Sequence, residues 1–163
     1  MTLTAATSAS ALSLALFEPD IPQNVGAAMR LTACLGLPLH IIEPCGFPWD
    51  MKKIRQSGMD YTDIAHMHRY VDWRHFKTET QDKAGRVVLM TTKAELPYTA
   101  FEFRPGDRLL AGRESAGVPD DVYRETDAQI RIPMQKTARS LNVVNASAMI
   151  LGEALRQLAK PES

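Results

Sequence analysis

The chain has 163 residues, of which 45% are hydrophobic and 23% are charged, a composition typical of one globular domain. Its 19 basic and 19 acidic residues cancel, which argues against indiscriminate nucleic-acid binding but allows a basic patch, local or assembled across a dimer. Cys34 and Cys45 lack metal-type spacing, so we expect no metal and reduced thiols in a cytoplasmic protein. We predict a disordered lead at residues 1–10 and a single domain at residues 11–160.

The first half of the chain is predicted to hold two buried strands, each followed by a helix. These elements are a strand at 12–17, a helix from Asp20 to Gly36, a strand at 39–42 and a basic helix at 51–58. Asp20 is the predicted N-cap of the first helix, with Gln23 three residues later in the capping-box position. His40 lies within the second strand, where a hydrogen-bonded structural histidine is favoured over a catalytic one.

The second half continues the alternation of apolar strands and helices. The predicted elements are an edge strand at 66–71, a helix at 73–79, strands at 86–90 and 107–111, a helix from Asp120, a strand at 130–132 and a final helix from Ser140. Continuous apolar runs that alternate with helices indicate an α/β fold with a parallel sheet covered on both faces. The final helix carries an apolar stripe, interpreted as core or as a subunit interface, formed by Leu141, Val144, Ala148, Leu151, Leu155 and Leu158.

Three polar constellations are candidates for chemistry, although each has a plain structural interpretation when taken alone. Gly112–Pro119 follows a strand and is either a glycine-containing turn or a ligand loop that presents Glu114. Asn24, Gly26 and Arg30 lie in the first helix, where the arginine is either a surface residue or an anion ligand. The third constellation, at the start of the final helix, carries more polar side chains than a cap requires: Ser140, Asn142 and Asn145.

Taken together and in this order, the constellations resemble the three motifs of the SPOUT class of RNA methyltransferases. The first is Asn24-x-Gly26-x-x-x-Arg30, the second is Gly112-x-Glu114-x-x-Gly117-Val-Pro119, and the third is Ile132-Pro-Met134 with Ser140-Leu-Asn142. The resemblance covers nearly everything after the N-terminal lead. It implies a single-domain SPOUT fold with a deep C-terminal trefoil knot, which no pattern in the residues could indicate.

Shorter matches are similar to the small, single-domain TrmL (YibK-like) enzymes, which methylate the ribose 2′-hydroxyl of the tRNA wobble nucleotide with S-adenosylmethionine. These matches are Phe17–Asn24, Leu39–Phe47, Gly58–Tyr61 and Thr91–Lys93. Two residues depart from the family pattern. Arg113 stands where close relatives tend to have proline, and Gly152 where they tend to have tyrosine.

The resemblance also implies roles for individual residues. The methyl donor is expected beside the residues at the family's donor-binding positions, namely Met90, Gly112, Ile132, Ser140 and Leu141. The expected catalytic set is Arg30, Asn24, Glu114, Ser140 and Asn142. A guanidinium is a poor base, so we expect Arg30 to anchor a phosphate and polarise the hydroxyl, with proton removal shared through that phosphate.

The expected partner is the tRNA anticodon stem–loop, bound by a homodimer. The cations expected to contact it are Arg30, Lys52, Lys53, Arg55 and Arg139. Basic runs of this kind are also common on ordinary solvated surfaces. Two alternatives stay open: a SPOUT 2′-O-methyltransferase that acts on another tRNA position or on ribosomal RNA, and a knotted RNA-binding protein without catalysis.

Overall fold

The computed structural model describes residues 12–58, 66–81 and 83–159. The predicted lead, residues 1–10, lies outside this part of the chain, as do the predicted domain bounds at residues 11 and 160. Residues 59–61 of the Gly58–Tyr61 match also lie outside it. Among the helices in the described ranges, none is long and apolar enough to cross a membrane.

Strands and helices alternate along the described chain, as the sequence predicts. The strands are β1 (Leu12–Phe17), β2 (Leu39–Ile42), β3 (Met67–Tyr70), β4 (Val87–Met90), β5 (Asp107–Ala111) and β6 (Ala128–Ile130). The helices are α1 (Pro22–Leu35), α2 (Met51–Gly58), α3 (Trp73–Thr80), α4 (Asp120–Arg124) and α5 (Val143–Leu158), with a short 3-10 helix at Tyr98–Ala100.

The six strands form one sheet in the order β3-β2-β1-β5-β4-β6, and every neighbouring pair is parallel. In the centre of the sheet, Leu14 lies opposite Leu39 on one side and Leu109 on the other. The strands β1, β2 and β5 are buried along their whole length, and apolar residues therefore dominate their sequences. The buried polar exceptions are Ser13, His40, Asp107 and Arg108. The predicted α/β fold with a parallel sheet is confirmed.

The side chains of the sheet alternate between two cores, one on each face. Leu14 and Leu16 of β1 point to the face covered by α1, α2 and α5, whereas Ala15 and Phe17 point to the face covered by α3 and α4. All parallel strands end at the same edge, so the loops after β1, β2, β4, β5 and β6 meet there. Ligands of α/β sheets bind at this edge.

The predicted cap of the first helix is wrong. Helix α1 begins at Pro22, its N-cap is Ile21, and no side chain caps it. A proline in the first turn has no N–H that needs a partner, so a capping side chain is less needed there. Asp20 instead accepts a hydrogen bond from the Ser115 hydroxyl, 95 residues later in the chain.

The boundaries at the third motif also differ from the prediction. β6 ends at Ile130, and beyond it Arg131 forms only an isolated bridge with Pro97. The final helix begins at Val143 rather than at Ser140, because the Asn142 side chain caps it by accepting hydrogen bonds from Val144 N at 2.9 Å and Asn145 N at 3.1 Å. Ser140 and Leu141 therefore stay in the loop.

The apolar stripe predicted for the final helix lies at the margin of the core, with one residue in the core and three packed against it. The buried residues of α5 are Ala146, Ser147, Ile150, Leu151 and Ala154, of which only Leu151 belongs to the predicted stripe. Four other stripe residues are half-buried, namely Val144, Ala148, Leu155 and Leu158, while Leu141 is 42% exposed. The small residues Ala146, Ser147 and Ala154, on the neighbouring side of the helix, let α5 approach the sheet closely. A hydrophobicity pattern alone does not show which side makes this approach.

Candidate active site

A cavity of about 400 Å³ opens at the carboxyl ends of β4, β5 and β6. It is lined by all five residues predicted to surround the methyl donor: Met90, Gly112, Ile132, Ser140 and Leu141. Four of the five predicted catalytic residues also line it: Asn24, Glu114, Ser140 and Asn142. The structure therefore gathers residues from all three motifs around one space, although they are up to 118 residues apart in sequence.

The second motif forms a tight turn directly after β5. Arg113 N donates to Gly117 O and Gly117 N donates to Arg113 O, both at 2.9 Å. Gly117 has a φ of 67°, in the left-handed region that favours glycine. A Cβ on Gly112 would lie 2.7 Å from the carbonyl carbon of Gly117, so only glycine fits there. The turn directs Glu114 into the cavity.

Glu114 holds the first motif in place through both of its carboxylate oxygens. Oε2 accepts from the Asp20 backbone N–H at 3.0 Å, and Oε1 accepts from the Asn24 Nδ2 amide, also at 3.0 Å. The Asn24 Oδ1 atom in turn accepts from Asn142 Nδ2 at 3.2 Å. One continuous chain of hydrogen bonds thus joins Glu114, Asn24 and Asn142, which belong to three separate segments of the chain.

The environment of the two neighbouring carboxyl groups shifts their pKa values in opposite directions. Burial raises the pKa of Glu114, and hydrogen bonding with Asp20 raises it further. Hydrogen bonding with Glu114 lowers the pKa of Asp20, assisted by the Ser115 hydroxyl and by the charge of Arg113. The lowered pKa favours the ionised form of Asp20, whereas the raised pKa of Glu114 makes its ionised form less favourable than in a free glutamate.

Arg113, which departs from the family pattern, connects the second motif to the loop after β1. Its Nη1 lies 3.6 Å from Glu18 Oε2, and its Nε lies 4.0 Å from Asp20 Oδ2. Arg113 is also one of the residues that line the cavity. The positive charge of Arg113 is therefore balanced by the carboxylates of Glu18 and Asp20. A proline at this position could not form these ion pairs.

Arg30 is the one predicted catalytic residue that does not line the cavity. It is exposed on α1, six residues after the buried Asn24. Six residues of helix correspond to about 9 Å along the axis and about 120° around it, so the two side chains point in different directions. The predicted RNA-binding residues Lys52, Lys53 and Arg55 are exposed on α2, whereas Arg139 is exposed and lines the cavity.

Several residues of the site were not among the predicted site residues. Asp20 resembled a helix cap. Five further residues lie within the matched stretches but were not singled out as site residues, yet they line the cavity: Ile21, Thr91, Thr92, Val118 and Met134. Their membership of a matched stretch was the available clue. In the described ranges, no group of three or more His, Cys, Asp or Glu side chains is arranged to hold a metal ion.

Comparison with known proteins places these motifs in a family. Residues 11–152 match the SpoU rRNA Methylase family. The tRNA (cytidine(34)-2′-O)-methyltransferase of Beijerinckia indica is 52% identical over 145 residues, which are 89% of this chain and 91% of that protein. The corresponding enzyme of Escherichia coli K12 is 40% identical, and the match covers 92% of this chain and 96% of that protein.

One solved structure, described as "Structural insights into the 2-OH methylation of C/U34 on tRNA", superposes with a TM-score of 0.84. It is 36% identical, and the match covers 91% of this chain and 97% of that one. The SpoU methyltransferase AviRb of Streptomyces viridochromogenes, solved with the cofactor AdoMet, superposes with a TM-score of 0.77 at 25% identity. That match covers 91% of this chain and 61% of the other. By the family match and by its identity to these relatives, this chain belongs to the SpoU rRNA methylase family.

Proposed function

We propose that this protein transfers a methyl group from S-adenosylmethionine to the ribose 2′-hydroxyl of the wobble nucleotide of tRNA, cytidine or modified uridine at position 34. The observation that carries the proposal is the convergence of all three motifs on one cavity, in a chain 52% identical to a tRNA (cytidine(34)-2′-O)-methyltransferase. The deep trefoil knot stays a prediction of the family resemblance.

The cavity has the volume and chemistry that S-adenosylmethionine requires. Its volume of about 400 Å³ lies in the range of small-molecule sites. Apolar side chains form part of the lining, and the Glu114 carboxylate lies among them. An apolar wall suits an adenine ring, while the carboxylate favours a positively charged sulfur. The residues present therefore fit the cofactor, with Met90, Gly112, Ile132, Ser140 and Leu141 around it.

Alignment is the main contribution that the protein can make to this reaction. When bound, S-adenosylmethionine supplies an electrophilic methyl group on a sulfonium. The displacement is in line, so its rate depends on holding the hydroxyl and the methyl group at the right distance and angle. Asn24 and Asn142 are oriented through Glu114 and present fixed polar groups where the ribose is expected. Ser140, in the loop before α5, contributes a hydroxyl at the same place.

Arg30 is assigned to the RNA rather than to the donor. Its guanidinium binds the phosphate beside the target ribose and polarises the hydroxyl, and the departing proton is shared through that phosphate. Arg30→Ala is expected to reduce methyl transfer about 100-fold or more, because the target ribose loses its alignment. Arg30→Lys should recover little, because an ammonium does not bind phosphate with two parallel hydrogen bonds. Single-turnover rates that are close to normal for Arg30→Lys would disprove the bidentate role.

The RNA-binding surface combines the cavity rim with helix α2. Arg139 lies at the rim, and Lys52, Lys53 and Arg55 lie exposed on α2. The net charge of one chain is zero. Two copies in a homodimer would nevertheless bring enough of these cations together to bind one anticodon stem–loop. The reaction is placed in the cytoplasm, where tRNA is the available substrate and the thiols of Cys34 and Cys45 stay reduced.

One experiment tests the proposed function directly. Purified protein is incubated with labelled S-adenosylmethionine and tRNA from a strain that lacks wobble methylation, and the labelled ribose is mapped. Label at position 34 supports the proposal, and label elsewhere or on ribosomal RNA replaces it with another methylation target. Binding of tRNA without any transfer would favour a non-catalytic RNA-binding protein.

A further inference from the structure

Two aromatic rings on the loop that follows β2 form a stack with one arginine of β3. The rings of Phe47 and Trp49 are nearly parallel, with an interplanar angle of 19° and centroids 6.4 Å apart. The guanidinium carbon of Arg69 lies 4.1 Å from the centroid of the Trp49 ring. We call Phe47, Trp49 and Arg69 the Trp49 stack. Both rings are only half-buried, at the margin of the core beneath α1 and α2.

The stack is held in place before any ligand binds. Arg69 Nη2 donates to Glu43 Oε1 at 2.7 Å, which fixes the guanidinium above the indole. Arg69 lies on β3, the edge strand of the sheet, and 41% of its side chain is exposed. Exposed aromatic rings and guanidinium planes are the surfaces on which proteins stack unpaired nucleobases.

The loop that carries the stack packs directly against the active site. Gly46 N donates to Pro19 O at 2.9 Å. A Cβ on Gly46 would lie 2.5 Å from Asp20 Cβ and 3.7 Å from the Nη2 atom of Arg113, which lines the cavity. Phe47 is the next residue. The stack is therefore a neighbour of the cavity rather than a remote surface feature.

The charge beside the stack suits a nucleic-acid backbone. Helix α2 begins two residues after Trp49 and exposes Lys52 and Lys53 in its first turn. The Asp50 carboxylate accepts from Lys52 N at 2.9 Å and anchors the start of this helix. An aromatic surface followed by a row of cations is the combination that binds single-stranded nucleic acid, with bases on the rings and phosphates on the cations.

We propose that the Trp49 stack binds an unpaired nucleobase of the RNA substrate, next to the nucleotide whose ribose is methylated. This inference rests on the proposed function, because it concerns the same RNA. It assigns part of the recognition of the RNA loop to stacking, which holds the loop open beside the cavity and tolerates different bases.

The chain provides its own control in a second cation–tryptophan pair. Lys77 Nζ lies 5.8 Å from the centroid of the Trp73 ring, on the opposite face of the sheet. Trp49 and Trp73 are the two tryptophans of the sequence. Trp73→Phe therefore leaves Trp49 as the fluorescent reporter, and Trp49→Phe leaves Trp73.

The experiment titrates both single-tryptophan proteins with a synthetic anticodon stem–loop RNA that has cytidine at position 34. Stacking of a base on an indole quenches its fluorescence, so we expect quenching in Trp73→Phe and little change in Trp49→Phe. RNA binding without quenching of Trp49, measured independently by filter retention, would overturn the inference. If the wild-type protein neither binds nor methylates this RNA, the proposed function itself fails.

A second set of variants separates stacking from structural support. Trp49→Leu keeps an apolar side chain but cannot stack, and we expect its Kd for the stem–loop to rise about tenfold. Trp49→Phe should restore most of the affinity, whereas Lys77→Ala should leave it unchanged. Binding of S-adenosylmethionine, measured by calorimetry, should be the same in all three. An unchanged Kd in Trp49→Leu, or a loss that Trp49→Phe does not recover, would contradict the role of stacking.

Discussion

The carboxylate of Glu114 occupies the centre of the polar network at the cavity. It accepts hydrogen bonds from the Asp20 backbone and from the Asn24 side chain, and Asn24 in turn accepts a hydrogen bond from the Asn142 side chain. An amide side chain has a donor end and an acceptor end, so the Glu114 carboxylate determines which way Asn24 points. The Asn142 amide is held from both ends, because its Oδ1 caps α5 and its Nδ2 donates to Asn24. The second motif thereby orients the first, and the first is joined to the third.

Glu114→Gln tests this arrangement with little change in volume. A glutamine offers one acceptor oxygen, so one of the two hydrogen bonds is lost and a donor meets a donor, at a cost of about 1–3 kcal/mol. We expect weaker S-adenosylmethionine binding and slower methyl transfer, measured by calorimetry and single-turnover assay. Glu102→Gln, at an exposed position on the same chain, serves as the control. Full activity in Glu114→Gln would mean that the network does not orient the site.

Protonation of His40 makes the free energy of unfolding depend on pH. Its Nδ1 lies 2.8 Å from the Tyr70 hydroxyl, and burial, assisted by the charges of His68 and Arg108, lowers its pKa to about 4. The unfolded chain takes up a proton near pH 6.5, whereas the folded chain does not do so until about pH 4. Stability is therefore complete above pH 6.5 and falls by about 3 kcal/mol as the pH drops to 4.

Urea unfolding between pH 7.5 and 4.5 measures this effect. His40→Asn should be less stable than the wild-type protein at pH 7.5 but should lose the part of the pH dependence that His40 causes. His66→Asn, at an exposed position, should keep it. The assignment is refuted if the two variants retain the same slope.

At the scale of single elements, the last helix has two different apolar flanks. Ile150, Leu151 and Ala154 are buried, while Leu155 and Leu158 are half-buried and Met149 is 44% exposed. The buried side docks on the sheet beside α1. Leu155 and Leu158 pack against the margin of the core with part of their surface exposed, and Met149 lies on another side of the helix. We expect the proposed subunit interface to use the partly exposed side that carries the predicted stripe.

Gly152 is the position at which stability and assembly can be separated. It lies inside α5, and a Cβ there would meet no atom within 4 Å. Gly152→Ala should raise stability by about 1 kcal/mol, since alanine is the better helix former. That gain corresponds to about 3 °C in Tm for a chain of this size.

The comparison variant is Gly112→Ala, which places a Cβ 2.7 Å from the Gly117 carbonyl carbon and should lower both Tm and cofactor affinity. If Gly152→Ala instead weakens the dimer seen in a mass measurement, then a second backbone approaches Gly152 closely in the assembled protein.

At the scale of the whole molecule, the position of Arg30 bears on the oligomeric state. The Asn24 side chain faces the cavity of its own chain, whereas Arg30 projects about 120° away on the same helix. If the proposed catalytic role of Arg30 holds, an arginine outside the cavity of its own chain can serve the cavity of a second copy. The proposed homodimer gives a reason for this placement.

Mixing two variants with reduced activity tests the placement. In a mixed dimer of Arg30→Ala and Glu114→Gln, one cavity has an intact Glu114 and can receive the intact Arg30 of the other copy. Equal mixing should restore about a quarter of the wild-type rate if the copies exchange and the site is shared. No recovery after verified subunit exchange would show that Arg30 serves its own chain, and a fully active monomer would exclude the dimer.

The local elements of the fold could be predicted from the sequence because their causes are local. β1, β2 and α2 have the bounds that their patterns predict, since apolar runs, prolines and glycines act on their own neighbours. The errors arose where a residue had a distant partner. Asp20 resembles a helix cap, but its carboxylate binds Ser115, and the predicted stripe of α5 could not reveal which flank meets the sheet.

The sequence by itself determined the alternation of strands and helices, the parallel sheet and the types of residue that the site contains. Only the tertiary structure decided how they meet: that Glu114 orients Asn24 from 90 residues away, that Arg30 projects from another side of its helix, and that Trp49 and Arg69 stack beside the cavity. The physical reason is that strand and helix propensities act over a few residues. Hydrogen bonds and stacking instead depend on distances of a few ångströms between segments that only the packed sheet brings together.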